Sequence, residues 1–377
     1  MVFRRNERTD ELPRNNLIDG WRGLSVLGVV IAHLVAYRFS NYFDQSPVHT
    51  LFQERASALT FASNLFFRFA SPLGEIGVNF FFVISGYLIT YLLIAEYNKN
   101  SRISIAAFYA RRVFRIVPAF YALIATLVIL RSNGTILLDN EAFVRSGLYV
   151  CNVSEFKCGW WLAHTWSLSV EEQFYIVWPL IFSIFTKARV AAIWFIFLGL
   201  TISSVFLPAF GSFAHIAIGA LVASSDRFRL VIERAATTLT ISGASLLIFL
   251  QSAVQTRPNL IAAIQTVEPA LLALIFFGTI AGKGPFVWIL SRSIIQKIGL
   301  ISYSVYLWQQ LFTARLFWGR SDTGAAELNN ALDLSVYRCT RSFVFAYGAF
   351  HDFSRSTSVG MDYENSVSLE LENITKT

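Results

Sequence analysis

Residues 76–94 read Ile-Gly-Val-Asn-Phe-Phe-Phe-Val-Ile-Ser-Gly-Tyr-Leu-Ile-Thr-Tyr-Leu-Leu-Ile, nineteen positions without one acidic or basic side chain. As α-helix at 1.5 Å per residue, such a run reaches across the roughly 30 Å hydrocarbon core of a bilayer. Lys99, Arg102, Arg111, Arg112 and Arg115 follow, the densest basic cluster in the chain. An apolar run closed by arginines on one side predicts a membrane helix whose basic end faces the cytoplasm.

Working outward, further apolar runs occupy 17–37, 116–130, 174–185, 190–207, 213–223, 239–253, 270–281 and 298–317. Basic residues gather on alternate connections: Lys187 and Arg189, then Arg227, Arg229 and Arg234, then Lys283, Arg292 and Lys297. The intervening connections, 208–212 and 255–258, hold a single basic residue, Arg257. This alternation places the N-terminus, with Arg4, Arg5, Arg8 and Arg14, in the cytoplasm. The expected fold is all-α, a polytopic transmembrane helix bundle of about nine to ten spans in the inner cell membrane. Residues 38–73 read as a mixed aromatic stretch, and 131–165 as a mostly uncharged loop on the outer side.

Composition supports the same class. The chain of 377 residues is 55 % hydrophobic and 15 % charged, where soluble domains carry about 25 % charged residues. Its 35 Phe, 14 Tyr and 9 Trp together outnumber the 31 Lys and Arg plus 24 Asp and Glu. A mean hydropathy of +0.52 excludes both a single soluble domain and a disordered chain. The net charge of +7 is spread through short loops, so nucleic acid is not an expected partner. Residues 1–14 read as a cytoplasmic segment and not as a removable signal peptide, since no short apolar core with a small-residue cleavage site follows. Residues 15–318 form the transmembrane domain, and 319–377 a polar, poorly ordered tail whose one apolar stretch, 342–350, is too short to span.

Ionisable groups inside apolar helices are expensive, which makes each a functional candidate. The first run holds Asp19, Arg22 and His33. Arg22 and His33 lie eleven residues apart, almost three turns, so they share a face about 16 Å apart along the axis. An arginine that keeps its charge suits a phosphate-bearing ligand, and a desolvated histidine stays neutral and accepts a proton. A second polar site is Trp166-Ser167-Leu168-Ser169-Val170-Glu171-Glu172-Gln173-Phe174-Tyr175. Acidic groups in a first turn complement the helix dipole, but that leaves Trp166, Tyr175 and Trp178 around them unexplained. A carboxylate here orients the imidazole or holds a hydroxyl acceptor. A third site, Arg111-Arg112-Val113-Phe114-Arg115, puts Arg112 and Arg115 on one face. These arginines anchor the topology and, facing a cavity, bind the phosphates of a nucleotide-containing donor. Cys151 and Cys158, spaced Cys-x6-Cys in the outer loop, favour a small disulfide over two free thiols. Zinc is not expected, because no histidine or further cysteine lies close in sequence to them, and no other metal is expected.

Several of these segments resemble the acyltransferase-3 family of integral membrane acyltransferases. Leu17-Ile18-Asp19-Gly20-Trp21-Arg22-Gly23-Leu24, continuing to His33, is similar to its opening motif. Residues 77–89, 111–118, 166–175 and Ser302-Tyr303-Ser304-Val305-Tyr306-Leu307-Trp308 follow in the family's order. The resemblance implies transfer of an acyl group, often acetyl, from acyl-CoA to a sugar hydroxyl, commonly on a surface or secreted polysaccharide. The family's Arg-x10-His pattern falls on Arg22 and His33, with the histidine catalytic, and its Arg-x-x-Arg pattern on Arg112 and Arg115. Gln309 stands where many members carry histidine, the usual final helix is not recognisable, and no appended esterase-like domain is found.

The resulting expectation has acyl-CoA docking from the cytoplasm on Arg22, Arg112 and Arg115. His33 acts as general base with Glu172 as its catalytic partner, and Glu171, Trp166 and Tyr175 contact substrate. The partners are acyl-CoA, a carbohydrate or glycolipid acceptor, and the lipid bilayer. A proton-coupled transporter or flippase is the rival reading of the same buried Arg, His and Glu groups. Such transporters often carry inverted repeats, and no internal repeat of that kind is found.

Overall fold

The computed structural model describes residues 15–44, 56–153, 158–184, 189–206, 209–225, 230, 234–256, 261–280 and 286–315. The motifs between residues 15 and 315 fall largely inside these ranges, whereas the segments 1–14 and 319–377 lie outside them. Among the described residues the chain is helical, with no strand. In chain order the α-helices are α1 (Asn16–Asp44), α2 (Ala56–Asn100), α3 (Ile105–Ser132), α4 (Asn140–Gly147), α5 (Gly159–Ala163), α6 (Thr165–Ile184) and α7 (Arg189–Phe206). They continue as α8 (Ala209–Ser224), α9 (Ala236–Thr256), α10 (Ile261–Ile280), α11 (Val287–Leu290), α12 (Ser293–Leu300) and α13 (Ser302–Arg315).

Among the described residues four segments are long and apolar enough to cross a bilayer: Asn16–Leu34, Pro72–Asn100, Ile105–Ser132 and Ala263–Ile280. Val190–Ser204, Phe210–Ser224 and Ala236–Gln251 are shorter apolar helices. The outward faces are as apolar as the core: Phe114 is 80 % exposed and Phe195 76 %. In water such rings would be a liability, whereas hydrocarbon is their natural surround. This is an integral membrane protein.

The helices depart from the apolar runs in three places. α3 begins eleven residues before position 116, because Ser104 in extended conformation caps the Ala107 amide with its side chain; this puts Arg111, Arg112 and Arg115 on the helix itself. The stretch 131–165, read as a loop, folds into α4, a 3-10 turn at Cys151–Val153 and α5. Cys151 and Cys158 form a disulfide there, as the spacing led us to expect. The Cys151 amide donates to Ser169 Oγ at 3.2 Å, and the Asn152 and Gln173 carboxamides pair at 2.9 Å, which docks the segment on α6. The run 298–317 is split between α12 and α13, with Ile301 at the break.

α1 is the hub of the bundle and packs on α2, α12 and α13. Its start is fixed to the end of α10 by Trp21 Nε1 donating to Thr279 Oγ1 at 2.6 Å, while the Trp21 ring stacks on Phe80 of α2 at 4.3 Å. α2 and α8 meet through reciprocal glycines. A Cβ on Gly86 would overlap the Ile216 carbonyl oxygen, and one on Gly219 the Val83 carbonyl oxygen. Small residues let two backbones approach in lipid, where packing and not the hydrophobic effect joins helices. Gly86→Ala is therefore expected to cost roughly 1–3 kcal/mol by forcing the pair apart. Thermal unfolding in detergent reads this directly, and an unchanged midpoint would show that the contact is not tight.

Candidate functional site

Among the described residues a cavity of about 140 Å³ opens between α1, α2, α3, α6 and α13. Arg22, Arg112, Arg115, Glu171 and Tyr175 all face it, together with Ser85, Ser167, Tyr303 and Tyr306. Three helices distant in sequence, α1, α3 and α6, thus deliver the first-helix arginine, the paired arginines and the acidic segment to one space. His33, Glu172 and Trp166 are not part of the lining.

Neighbouring arginines of α3 face different ways. Arg111, with its side chain 61 % exposed, pairs with Glu96 at 3.3 Å. Arg112, one position and about 100° further round the helix, lays its guanidinium over the Tyr175 ring at 4.9 Å and the Phe108 ring at 5.8 Å. Arg115 is exposed at the cavity mouth. Among the described residues none of Arg22, Arg112 and Arg115 forms an ion pair within 4.0 Å. Three arginines around one cavity, with Glu171 close to Arg22 and Arg112 but not in a direct ion pair, can receive an anion of several charges.

The acidic segment is held from α2. Glu171 accepts from Ser85 Oγ at 2.8 Å, and the Tyr175 hydroxyl lies 3.1 Å from Ser85 Oγ and 3.3 Å from Glu171 Oε2. One turn further along, Trp178 Nε1 donates to Thr90 Oγ1 at 2.9 Å. Glu172, on the next face, sits beside Glu171 and Arg112, and its Oε1 is buried without a hydrogen-bond partner. Trp166 is half-buried with its edge toward Phe82 at 5.9 Å.

The cavity ends at two hydroxyls. Ser167 Oγ and Tyr306 OH are 2.6 Å apart, and each also reaches the His164 carbonyl oxygen, at 3.2 and 2.9 Å. The His164 ring lies against the Tyr306 ring at 5.7 Å and is an electrostatic neighbour of His33. His33 is half-buried and sets its ring at 6.4 Å from Trp160 of α5. Its Nδ1 is 2.9 Å from the Val29 carbonyl oxygen. A carbonyl only accepts, so Nδ1 carries the hydrogen of the neutral ring and Nε2 keeps the free lone pair. His33 is thereby held in one tautomer with its basic nitrogen directed away from its own helix, as a general base requires.

The sequence reading missed Ser85, Ser167, Tyr306, His164 and Trp160. Ser85 and Ser167 stand inside quoted motifs, and His164 immediately precedes the Thr165-Trp166 pair. A hydroxyl in an apolar motif was the available signal, but its partner lies 86 residues away for Ser85 and 139 for Ser167.

The pattern of the acyltransferase-3 acyltransferase domain matches residues 15–322, and the chain belongs to that family. A candidate O-acetyltransferase of Staphylococcus aureus strain COL, SACOL0978, is 30 % identical over 211 residues, covering 51 % of this chain and 29 % of that protein. The O-acetyltransferase OatA of Staphylococcus aureus strain NCTC 8325 is 29 % identical over 180 residues, covering 44 % of this chain and 24 % of that protein. The chain thus aligns with less than a third of either relative's length. No solved structure matches it.

Proposed function

We propose that the chain is a membrane acyltransferase that moves an acyl group, acetyl in the simplest case, from acyl-CoA to a hydroxyl of a carbohydrate. The observation that carries this reading is the cavity itself, lined by three arginines free of direct ion pairs and by the Ser167–Tyr306 hydroxyl pair. Membership of the acyltransferase-3 family and the O-acetyltransferase names of its relatives support transfer over transport. In this reading the N-terminus is cytoplasmic and the bundle crosses the inner membrane about nine times, given some 20 residues per span.

The CoA phosphates rest on Arg22, Arg112 and Arg115, and the pantetheine arm runs along the apolar wall of α2 toward Ser167 and Tyr306. Glu171 and Tyr175, tied to Ser85, fix the position of Arg112, and Trp166 and Tyr175 shape the substrate path. His33 Nε2 takes the proton of the acceptor hydroxyl as its oxygen attacks the thioester carbonyl. The C–S bond then breaks, and the imidazolium returns the proton to the departing thiolate. Glu172, near the arginines, offers a carboxylate to support this charge movement. General-base help of this kind contributes about 10²–10⁴-fold.

Membranes containing the protein, incubated with [14C]acetyl-CoA and polysaccharide, test the reading. Alkali-labile label in the glycan is expected. Label that never enters an ester, with acetyl-CoA consumed or not, would overturn it.

A further inference from the structure

The break at Ile301 opens a helix N-terminus beside the cavity. α12 stops there, and α13 starts afresh with the Val305 amide donating to the Ile301 carbonyl oxygen at 3.0 Å. The amides of the turn before Val305 have no carbonyl of their own helix to bond, and Ser302 and Tyr303 of that turn line the cavity. Ser302 is fully buried, and its Oγ has no hydrogen-bond partner. Among the described residues every other hydroxyl of the wall is taken. Ser85 and Tyr175 bond around Glu171, Tyr303 donates to the Ile116 carbonyl oxygen at 3.1 Å, and Ser167 and Tyr306 share the His164 carbonyl oxygen. An idle hydroxyl in a low-dielectric interior is costly. A serine at a helix start ordinarily caps an amide of its own first turn, and Ser302 does not.

Arg22 belongs to the same end of the cavity. The α1 turn around it is pressed against α12: a Cβ on Gly299 would overlap the Asp19 carbonyl oxygen, and one on Gly23 the Ile295 carbonyl oxygen. Ser302 follows Gly299 by three residues, and Arg22 lines the cavity with it. First-turn amides at the positive end of a helix, an uncommitted hydroxyl and a guanidinium are thus brought together as donors. A single carbonyl oxygen would occupy one or two of them, whereas the several charged oxygens of a phosphoryl group engage them all. Resting on the acyl-CoA reading above, we infer that Ser302 Oγ, the first-turn amides of α13 and Arg22 form the seat of one phosphoryl group of the donor, apart from the seat that Arg112 and Arg115 provide on α3. Coenzyme A carries a diphosphate and a separate ribose phosphate, so two seats on different helices suit one molecule. The close glycine packing of α1 on α12 holds the donors of the α13 seat at a fixed spacing.

The test uses the purified full chain in detergent as wild type, Ser302→Ala and Ser302→Asp. Each is titrated by calorimetry with coenzyme A and with inorganic pyrophosphate, and each ligand-free protein is unfolded by heat. Alanine removes only the hydroxyl. Aspartate suits a helix start yet sets a negative charge where the phosphoryl group would rest. Ser302→Ala is expected to raise Kd for both probes about tenfold, the loss of one hydrogen bond to a charged group. Ser302→Asp is expected to weaken both further, with unfolding midpoints close to wild type in both variants. Coenzyme A bound equally by all three proteins would overturn the seat and leave the donor reading standing. Weakened binding of coenzyme A with unchanged binding of pyrophosphate would also overturn it, by assigning Ser302 to the uncharged arm of the donor. Lowered unfolding midpoints with lost binding in both variants would make Ser302 a structural residue and end the proposal. Pyrophosphate binding that responds to Ser302, in a wild type that ignores coenzyme A, would keep the phosphoryl seat and remove the donor reading. A wild type that binds neither probe removes both.

Discussion

His33→Ala will lower acyl transfer by about 10²–10⁴-fold while the protein still inserts and binds acetyl-CoA. The size of the effect follows from the tautomer. The Val29 carbonyl holds the hydrogen on Nδ1, so Nε2 is the nitrogen available as a base, and alanine removes it outright. His33 is half-buried near Trp160, so the truncation leaves a small gap and not a collapsed core. Initial rates of [14C]acetyl transfer, with size-exclusion profiles as the control for folding, measure the change. A variant with full activity would take the histidine out of the mechanism.

The Arg112→Ala, Arg115→Ala double variant should raise KM for acetyl-CoA by about 100-fold, since a charge-assisted hydrogen bond is worth roughly 1.5–3 kcal/mol. At saturating donor, turnover should fall much less, because neither arginine lies beside His33. Arg111→Ala is the built-in comparison: its guanidinium pairs with Glu96 away from the cavity, and its KM should match wild type. Salt gives a second reading. Added salt should weaken donor binding in wild type more steeply than in the double variant, as screening removes an attraction the variant lacks. Equal KM values for the double variant and wild type would refute the phosphate assignment.

The helical class was legible because residues such as those of 76–94 leave the chain no alternative in hydrocarbon. The facing of Arg112 with Arg115 was legible too, since three residues are close to one helical turn. The separation of Arg111 from that pair was not, because its partner Glu96 belongs to the preceding helix. Nor was the helical content of 131–165. That segment is held by a disulfide and by contacts to Ser169 and Gln173, and short helices have too little intrinsic stability to announce themselves. The carboxylates of the acidic segment were legible as polar groups in an apolar helix, yet the hydrogen bond of Glu171 with Ser85 depends on how α2 turns against α6. His164 escaped notice for the same reason: its partners are Leu307, 143 residues further on, and the neighbouring His33 of α1.

The bridge between Cys151 and Cys158 bears on where the two substrates come from. Sulfurs link in compartments that permit oxidation, and the reducing interior of a cell keeps them apart. On the orientation proposed above, the α4–α5 segment therefore looks out on the envelope, and Trp160 and His164 stand directly behind it. In the reaction proposed above, the activated acyl group is made where coenzyme A is found, within the cell, and the acceptor waits where the sulfurs are joined. A single bundle of helices then lets acetyl cross the permeability barrier without its bulky, highly charged carrier ever leaving home.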